Sequence, residues 1–192
     1  FALVPLTGVP RTPIVPAAIL YDLANGGDKS WGDVSPYAAL GLEAYRARGL
    51  GVELGQAGAG FGAKAGAFAG GTGSASIVTH DGITVGALAG VNCFGSVFMP
   101  GTDAYWAWPY EIDGEFGGKR PPEDYAADAE DWGAAKANPA LGQNTTIACI
   151  ATDVALTASE AKRVAQMALS GFSRAIRPVF APFDGDALFV MS

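Results

Sequence analysis

A short polar turn that runs straight into an apolar strand constrains this chain more than any other stretch of its sequence. Residues 142–144 read Gly-Gln-Asn, and residues 145–153 read Thr-Thr-Ile-Ala-Cys-Ile-Ala-Thr-Asp. Glycine and asparagine favour a tight turn, and the partly β-branched run predicts a buried strand that holds the Thr145 side chain in place. A hydroxyl held in this way suits a nucleophile. On this segment alone, ordinary turn chemistry before a core strand is the simpler interpretation.

Composition and charge restrict the classes of protein to which this chain can belong. With 192 residues, 49% of them hydrophobic and 16% charged, we expect a single globular domain over residues 1–192. The net charge of −7 argues against a nucleic-acid partner, because a phosphate backbone requires a surface rich in Lys and Arg. No apolar run is long enough to cross a bilayer, so we expect no membrane partner.

Cysteine and histidine, which serve most often in metal sites and in nucleophile activation, are scarce in this chain. Cys93 and Cys149 are too few for a disulfide framework, which favours a reducing compartment, and we expect the cytoplasm. His80 is the one histidine, so the usual zinc spacings cannot be assembled. His80-Asp81-Gly82 separates two β-branched runs, which predicts a hairpin with the imidazole at an exposed turn. A threonine nucleophile in this chain must therefore use a base other than histidine.

The glycine-rich stretch 51–73 resembles a phosphate-binding loop only superficially. It contains neither the Gly-Lys-Ser/Thr ending of a Walker loop nor a GxGxxG turn between a strand and a helix. We therefore expect no nucleotide and no other cofactor or metal. We expect its glycines to allow close approach of two backbones, or of a backbone and a substrate.

The remaining pattern predicts alternating strands and helices. Strands are expected at 14–22, 74–79, 83–91 and 187–191, and helices at 36–48 and 158–172, the second opened by the capping box Thr157-Ala158-Ser159-Glu160. Residues 101–140 combine tryptophans and prolines with many of the acidic residues. We expect this range to be a surface excursion with a short helix near Glu123 to Lys136.

Several separated motifs, taken in order, resemble one family over most of the chain. They are Thr-Pro-Ile-Val-Pro-Ala-Ala at 12–18, the glycine-rich stretch at 55–73, Val-Asn at 91–92, Asn-Thr-Thr-Ile with Ala-Thr-Asp at 144–153, and Arg-Ala-Ile-Arg-Pro with Phe-Asp-Gly-Asp at 174–186. They resemble the self-processing DmpA-type aminopeptidases, the S58 peptidases, which include β-peptidyl aminopeptidases and nylon-oligomer hydrolases.

The resemblance implies a four-layer α/β/β/α sandwich of the N-terminal-nucleophile type and a precursor that cuts itself between Asn144 and Thr145. Thr145 would then be the nucleophile, activated by its own new α-amine, and the substrate would be a small peptide or amide with a free amine. Asn92 matches the family's side-chain oxyanion donor and Tyr21 matches a site tyrosine. Asp184 and Asp186 match the polar pair that orients the nucleophile or its amine. A homo-oligomer is also implied.

The sequence departs from the family pattern at three points. Many members carry a lysine just beyond the glycine-rich stretch, where this chain has Ala67 or Ala69, and the nearest lysine, Lys64, is displaced. Members extend for roughly a hundred or more residues before the point that matches Phe1, so we expect a domain that is incomplete at its N-terminus. The chain also ends directly after the last matched strand. Two alternatives stay open, an acyl transferase similar to ornithine acetyltransferases and a truncated relative without catalytic activity.

Overall fold

The structure, a computed structural model, describes residues 15–137 and 143–192 together with positions 3–4, 8, 10 and 12–13. Gly142 of the predicted turn and Ile14 of the predicted first strand lie outside the described residues. Two short antiparallel ribbons precede the main sheet. One pairs β1 (Leu3–Val4) with β2 (Thr12–Pro13), and the other pairs β3 (Lys64–Ala65) with β4 (Phe68–Ala69).

A four-stranded sheet forms the centre of the described structure. Its strands lie side by side in chain order and are β5 (Gly71–Val78), β6 (Thr84–Asn92), β7 (Thr145–Thr152) and β8 (Ala187–Met191). The first three strands are antiparallel, whereas β7 and β8 are parallel. The predicted hairpin around the exposed His80, the strand that begins at Thr145 and the closing strand are thereby confirmed.

Both predicted helices are confirmed to within a few residues, as α1 (Tyr37–Arg46) and α2 (Ala158–Ala175). The predicted capping box opens α2, with Thr157 and Glu160 each accepting the other's main-chain N–H. α2 packs along β8 and buries Phe172. Short 3₁₀ turns lie at Leu23–Asn25, Gly58–Gly60 and Trp108–Tyr110. In the described part of the chain, no helix is both long and apolar enough to cross a membrane.

The strand predicted at 14–22 is wrong for the residues that the structure describes. Residues 15–22 form no strand, and the side chains of Val15 and Ile19 are 64% and 82% exposed. Pro16 interrupts the run and has no main-chain N–H to donate to a neighbouring strand. Apolar content alone therefore did not produce a sheet ladder here.

The helix predicted near Glu123 to Lys136 is also wrong, because these residues form turns and irregular backbone. The side chains of Asp128 and Asp131 accept main-chain N–H groups two residues further along the chain. Local hydrogen bonds of this kind compete with the helical pattern.

Aromatic packing just beyond β6 joins three parts of the chain. Phe94 is buried, and its ring lies 4.8 Å from the ring of Phe183 and 5.7 Å from that of Trp132, measured between centroids. Ser96 pairs with Arg177 in an antiparallel bridge. The end of β6, the 101–137 segment and the turn before β8 therefore meet close to the start of β7.

The expected α/β class is confirmed. In the described residues, the central sheet supplies a sheet layer and α2 supplies a helix layer against it. These are layers of the kind that the predicted four-layer sandwich contains. The assignment of residues 1–192 to a single domain stays a prediction.

Candidate active site

The pairing of β6, β7 and the turn before β8 brings the predicted site residues together. In the sheet register Asn92 faces Thr145, and an isolated parallel bridge pairs Asn144 with Asp184. Asn92 is fully buried, and Asn144 and Thr145 are 1% and 3% exposed. The strand that begins at Thr145 thus holds its hydroxyl in a water-poor position fixed by main-chain pairing on both sides.

The Thr145 hydroxyl lies directly beside the peptide bond that precedes it. Thr145 Oγ1 donates to the carbonyl oxygen of Asn144 at 2.5 Å, and the main-chain N–H of Gly185 donates to the same oxygen at 2.7 Å. The Gly185 N–H draws electron density from the carbonyl carbon, and it would stabilise a negative charge on the oxygen when the hydroxyl attacks. The Asn144–Thr145 peptide bond is therefore polarised next to a potential nucleophile.

Gly185 permits this arrangement because it lacks a side chain. A Cβ at this position would lie 2.7 Å from Thr145 Oγ1 and 3.4 Å from the Asn144 carbonyl oxygen. The first distance is shorter than a non-bonded contact allows, so any other residue would displace the hydroxyl or the turn. The motif Asp184-Gly185-Asp186 marked the two aspartates, but no role of the glycine was predicted from it.

Asp186 fixes the start of β7 through the main chain. Its Oδ1 accepts the N–H of Thr146 at 2.6 Å, and its Oδ2 accepts the N–H of Phe180 at 3.3 Å. By bridging two main-chain donors, the Asp186 carboxylate ties Thr146 to the loop around Phe180, which precedes β8. This contact suits the orienting role that the resemblance implies for Asp186.

Asp184 has a buried carboxylate that is poorly compensated. Neither carboxylate oxygen has a hydrogen-bond partner among the described residues. Burial, and then the nearby charge of Asp186, raises the pKa of Asp184 to about 6, although the Phe94 amide and Lys136 act in the opposite direction. The Phe94 amide thus lies near the carboxylate without hydrogen-bond geometry to it. A carboxyl group with such a pKa can accept or release a proton near neutral pH.

The Asn92 carboxamide is held in one orientation by several partners. Its Nδ2 donates to the main-chain carbonyls of Tyr21 at 2.6 Å and Gln143 at 3.4 Å. Its Oδ1 accepts from Asn25 Nδ2 and from the Lys64 main-chain N–H, both at 2.9 Å. The amide nitrogen therefore faces the main chain of Tyr21 and of Gln143, and Gln143 lies two residues before Thr145.

Of the other residues considered from the sequence, Tyr21 contacts the site through its main-chain carbonyl, and the role expected for its phenol stays a prediction. Lys64 reaches Asn92 through its main-chain N–H rather than through its ammonium group. Within the described ranges, no group of three or more His, Cys, Asp or Glu side chains could hold a metal ion.

Sequence reasoning missed three residues of this site. Asn25 lies in the 3₁₀ turn Leu23–Asn25 and was not considered as a site residue, and Gly185 lies between the two aspartates that were considered. Lys136 lies in the range taken for a surface excursion, yet its Nζ is 3.3 Å from the Asn92 main-chain oxygen and 3.4 Å from Asn92 Oδ1. A half-buried lysine in an acidic segment carries no sequence pattern that separates it from exposed lysines.

We expect Asp184→Asn to stabilise the folded protein near neutral pH. The folded-state pKa of about 6 lies above the unfolded value of about 3.9. The folded state therefore binds more protons between these values, and the carboxyl group costs stability as the pH rises through 6. After discounting for partial exposure, the gain for Asn at pH 8 is about 1–2 kcal/mol.

Urea unfolding at pH 4, 6 and 8 measures this effect, with Thr145→Ala in every sample so that all chains have the same length. The advantage of Asp184→Asn should shrink towards pH 4, and the exposed control Asp124→Asn should show no such trend. An equal effect of both substitutions at pH 8 would show that burial of Asp184 does not cost stability.

The fold and the site together define an α/β protein with a buried threonine at the head of a central strand, a polarised peptide bond before it and two aspartates beside it. The chain belongs to Peptidase family S58, whose family model matches residues 7–192. The family resemblance expected from the sequence is thereby confirmed.

The curated relatives that this chain matches are named as aminopeptidases. The chain is 40% identical over 185 residues to an uncharacterized aminopeptidase of Mycobacterium tuberculosis strain H37Rv, covering 94% of this chain and 51% of the relative. It is 36% identical over 186 residues to an uncharacterized aminopeptidase of Mycobacterium leprae, covering 94% and 49%. The chain spans about half the length of the curated relatives it matches.

Solved structures support the fold. A Burkholderia sp. beta-aminopeptidase matches with a TM-score of 0.53 at 29% identity, over 83% of this chain and 39% of that protein. A protein of Pyrococcus horikoshii OT3 matches with a TM-score of 0.50, also at 29% identity, over 79% of this chain and 35% of that protein.

Proposed function

We propose that this chain carries the catalytic centre of a self-processing peptide hydrolase whose nucleophile is Thr145. The observation that carries the proposal is the contact of the Thr145 hydroxyl with the Asn144 carbonyl, which also accepts the Gly185 N–H. In a member of Peptidase family S58, this geometry supports attack by a residue on the peptide bond that precedes it. The aminopeptidase names of the relatives agree with such an activity.

Self-processing would proceed by an acyl shift followed by hydrolysis. Thr145 Oγ1 bonds to the carbonyl carbon of Asn144, the C–N bond breaks, and the hydroxyl proton passes to the released nitrogen. Water then cleaves the resulting ester, which leaves a carboxylate on Asn144 and restores the hydroxyl of Thr145. Gly185 N–H stabilises the oxyanion of the first step, and Asp184, with its pKa near 6, is the buried group suited to proton transfer.

The mature centre would act on small peptides or amides that carry a free amine. Cleavage gives Thr145 an α-amine with a pKa of about 7.7–8.0, which can serve as the base for the hydroxyl on the same residue. The Asn92 carboxamide supplies a donor for the oxyanion, and the Tyr21 phenol is a second candidate from the family resemblance. Asp184, Asp186 and a net charge of −7 favour a cationic substrate end.

Intact-mass analysis of the purified full-length protein tests the proposal, combined with N-terminal sequencing of each piece. We expect two pieces, the smaller of which begins with Thr145. The mature protein should then release amines from aminoacyl amides, and failure of this assay with successful transfer from acetylornithine to glutamate would favour the acyl-transferase alternative. A folded protein that stays whole and inactive would contradict the proposal.

The cytoplasmic location and the homo-oligomer stay predictions.

A further inference from the structure

Lys136 is anchored next to the site by its main chain. The N–H of Lys136 donates to the Phe94 carbonyl at 3.0 Å, and Ala67 N–H donates to the Ala134 carbonyl at 2.7 Å. Both bonds belong to the backbone, so they remain when the Lys136 side chain is changed. The segment that precedes the proposed cleavage point is therefore fixed against the end of β6, and its lysine points towards Asn92.

The ammonium group of Lys136 completes the donors around one oxygen. Asn92 Oδ1 accepts from Asn25 Nδ2, from the Lys64 main-chain N–H and, at 3.4 Å, from Lys136 Nζ. Three donors on Oδ1 exclude the flipped carboxamide, in which Nδ2 would meet these donors. Lys136 thus helps to aim the Asn92 amide nitrogen at the main chain of Gln143.

The charges around Lys136 and Asp184 connect these two residues. Burial lowers the pKa of the Lys136 ammonium, as does the charge of Lys64, whereas Cys93 and Asp184 raise it. Burial raises the pKa of the Cys93 thiol to about 12, so this group is neutral at working pH. Asp184 is therefore the acidic neighbour whose charge matters to Lys136, and its own charged neighbours are Asp186 and Lys136.

We propose that Lys136 is a positioning residue of the self-cleavage centre, which holds the Asn92 carboxamide in its working orientation. The inference rests on the proposed function, because it assigns a role in the cleavage between Asn144 and Thr145. It also gives the 101–137 segment a part in the site. Lys136 acts through Asn92, and no recorded contact joins its side chain to the bond that is cut.

Cell-free synthesis of the full-length protein, followed by transfer to buffers from pH 5 to 9 and time-resolved intact-mass analysis, tests this role. We expect Lys136→Met to slow cleavage about 10-fold or more, since a hydrogen bond from a charged group is lost. The acid limb of the rate profile should also move to higher pH, because the pKa of Asp184 rises when the nearby positive charge is removed.

Two comparisons separate positioning from a merely structural effect. Lys136→Arg keeps the charge and should recover most of the rate and the original acid limb, whereas the neutral Lys136→Gln should behave like Lys136→Met. Lys119→Met removes an exposed lysine, paired with Asp103 at 2.8 Å, from the same segment and should change neither quantity.

The outcomes distinguish this inference from the proposed function. If the wild type is cut before Thr145 but Lys136→Gln keeps the wild-type rate and acid limb, the role of Lys136 is wrong and the proposed function stands. The same holds if Lys136→Arg and Lys136→Gln lose rate equally with no change in the acid limb. If the wild type is not cut at all, the proposed function itself fails. Should Lys136→Met not fold, the Arg and Gln variants still decide.

Discussion

Thr145→Ala is expected to leave the full-length protein in one piece. The substitution removes the Oγ1 atom that contacts the Asn144 carbonyl and leaves the strand pairing of β7 in place. Removing the nucleophile of an enzyme typically costs several orders of magnitude in rate, so we expect cleavage to fall about 10⁴-fold or more. Thr145→Ser keeps an oxygen at the same position and should still be cut.

Thr146 offers a matched control on the next position of the same strand. It is 1% exposed, and its hydroxyl has no hydrogen-bond partner among the described residues. Thr145→Val and Thr146→Val make the same chemical change, a hydroxyl to a methyl, in equally buried surroundings. We expect the first to block cleavage and the second to permit it, with stability unchanged or improved because an unpaired polar group is removed.

Intact mass after overnight incubation at pH 7.5 measures both pairs of variants. Cleavage of Thr145→Val at the wild-type rate would show that another group, or a contaminating protease, cuts the chain. Loss of cleavage in Thr146→Val with the fold intact would show that the strand, rather than the Thr145 hydroxyl, is what the reaction needs.

The elements that the sequence predicted correctly are those with a strong local pattern. The run from Thr145, the Asp-Gly hairpin and the Thr157 capping box each specify their backbone within a few residues. The structure pairs the hairpin with β7 in one sheet and sets Asn92 opposite Thr145, a register that the local patterns did not predict. Asn92 and the two aspartates were identified through the family resemblance, and their geometry was not predictable from the motifs alone.

The site residues that were not predicted reach the site through contacts between segments that are far apart in the sequence. Lys136 is brought to Asn92 by main-chain bonds to a segment more than forty residues away, which no local periodicity reveals. Asn25 reaches Asn92 across an even longer separation. The strand prediction that covers residues 15–22 was wrong for a local reason. The apolar residues match the pattern of a strand, but Pro16 has no main-chain N–H to donate to a neighbouring strand.

Unpaired buried polar atoms concentrate at this site. Among the described residues, Asn144 Nδ2, Thr146 Oγ1 and both carboxylate oxygens of Asp184 lack partners, and all three residues lie at the junction of β7 with the turn before β8. Each such group costs folding free energy, typically about 1–3 kcal/mol. Proteins commonly tolerate such destabilising groups at their functional sites. This concentration agrees with a centre adapted for chemistry and with the stabilisation expected for Asp184→Asn.

Gly185→Ala should slow self-cleavage although it changes no reactive group. The new Cβ would lie 2.7 Å from Thr145 Oγ1, so either the hydroxyl rotates away from the Asn144 carbonyl or the turn moves and its N–H leaves that oxygen. Loss of one oxyanion donor costs about 10²–10³ in rate in other enzymes, and we expect a decrease of about 100-fold or more. Crowding should also lower the free energy of unfolding by about 1–3 kcal/mol.

Gly171→Ala is the matched control, because Gly171 lies on the exposed side of α2 and a Cβ there meets no atom within 4 Å. It should leave the cleavage rate unchanged and raise stability by up to about 1 kcal/mol, as alanine favours helix. Cleavage rates come from time-resolved intact mass, and stabilities from urea unfolding of both variants in the Thr145→Ala background. A wild-type cleavage rate for Gly185→Ala would show that the close approach of this turn to the hydroxyl has no part in the reaction. If conditions that stabilise the fold restore the cleavage rate of Gly185→Ala, the substitution acts through folding. If the rate stays slow in a fully folded chain, the substitution acts at the peptide bond between Asn144 and Thr145.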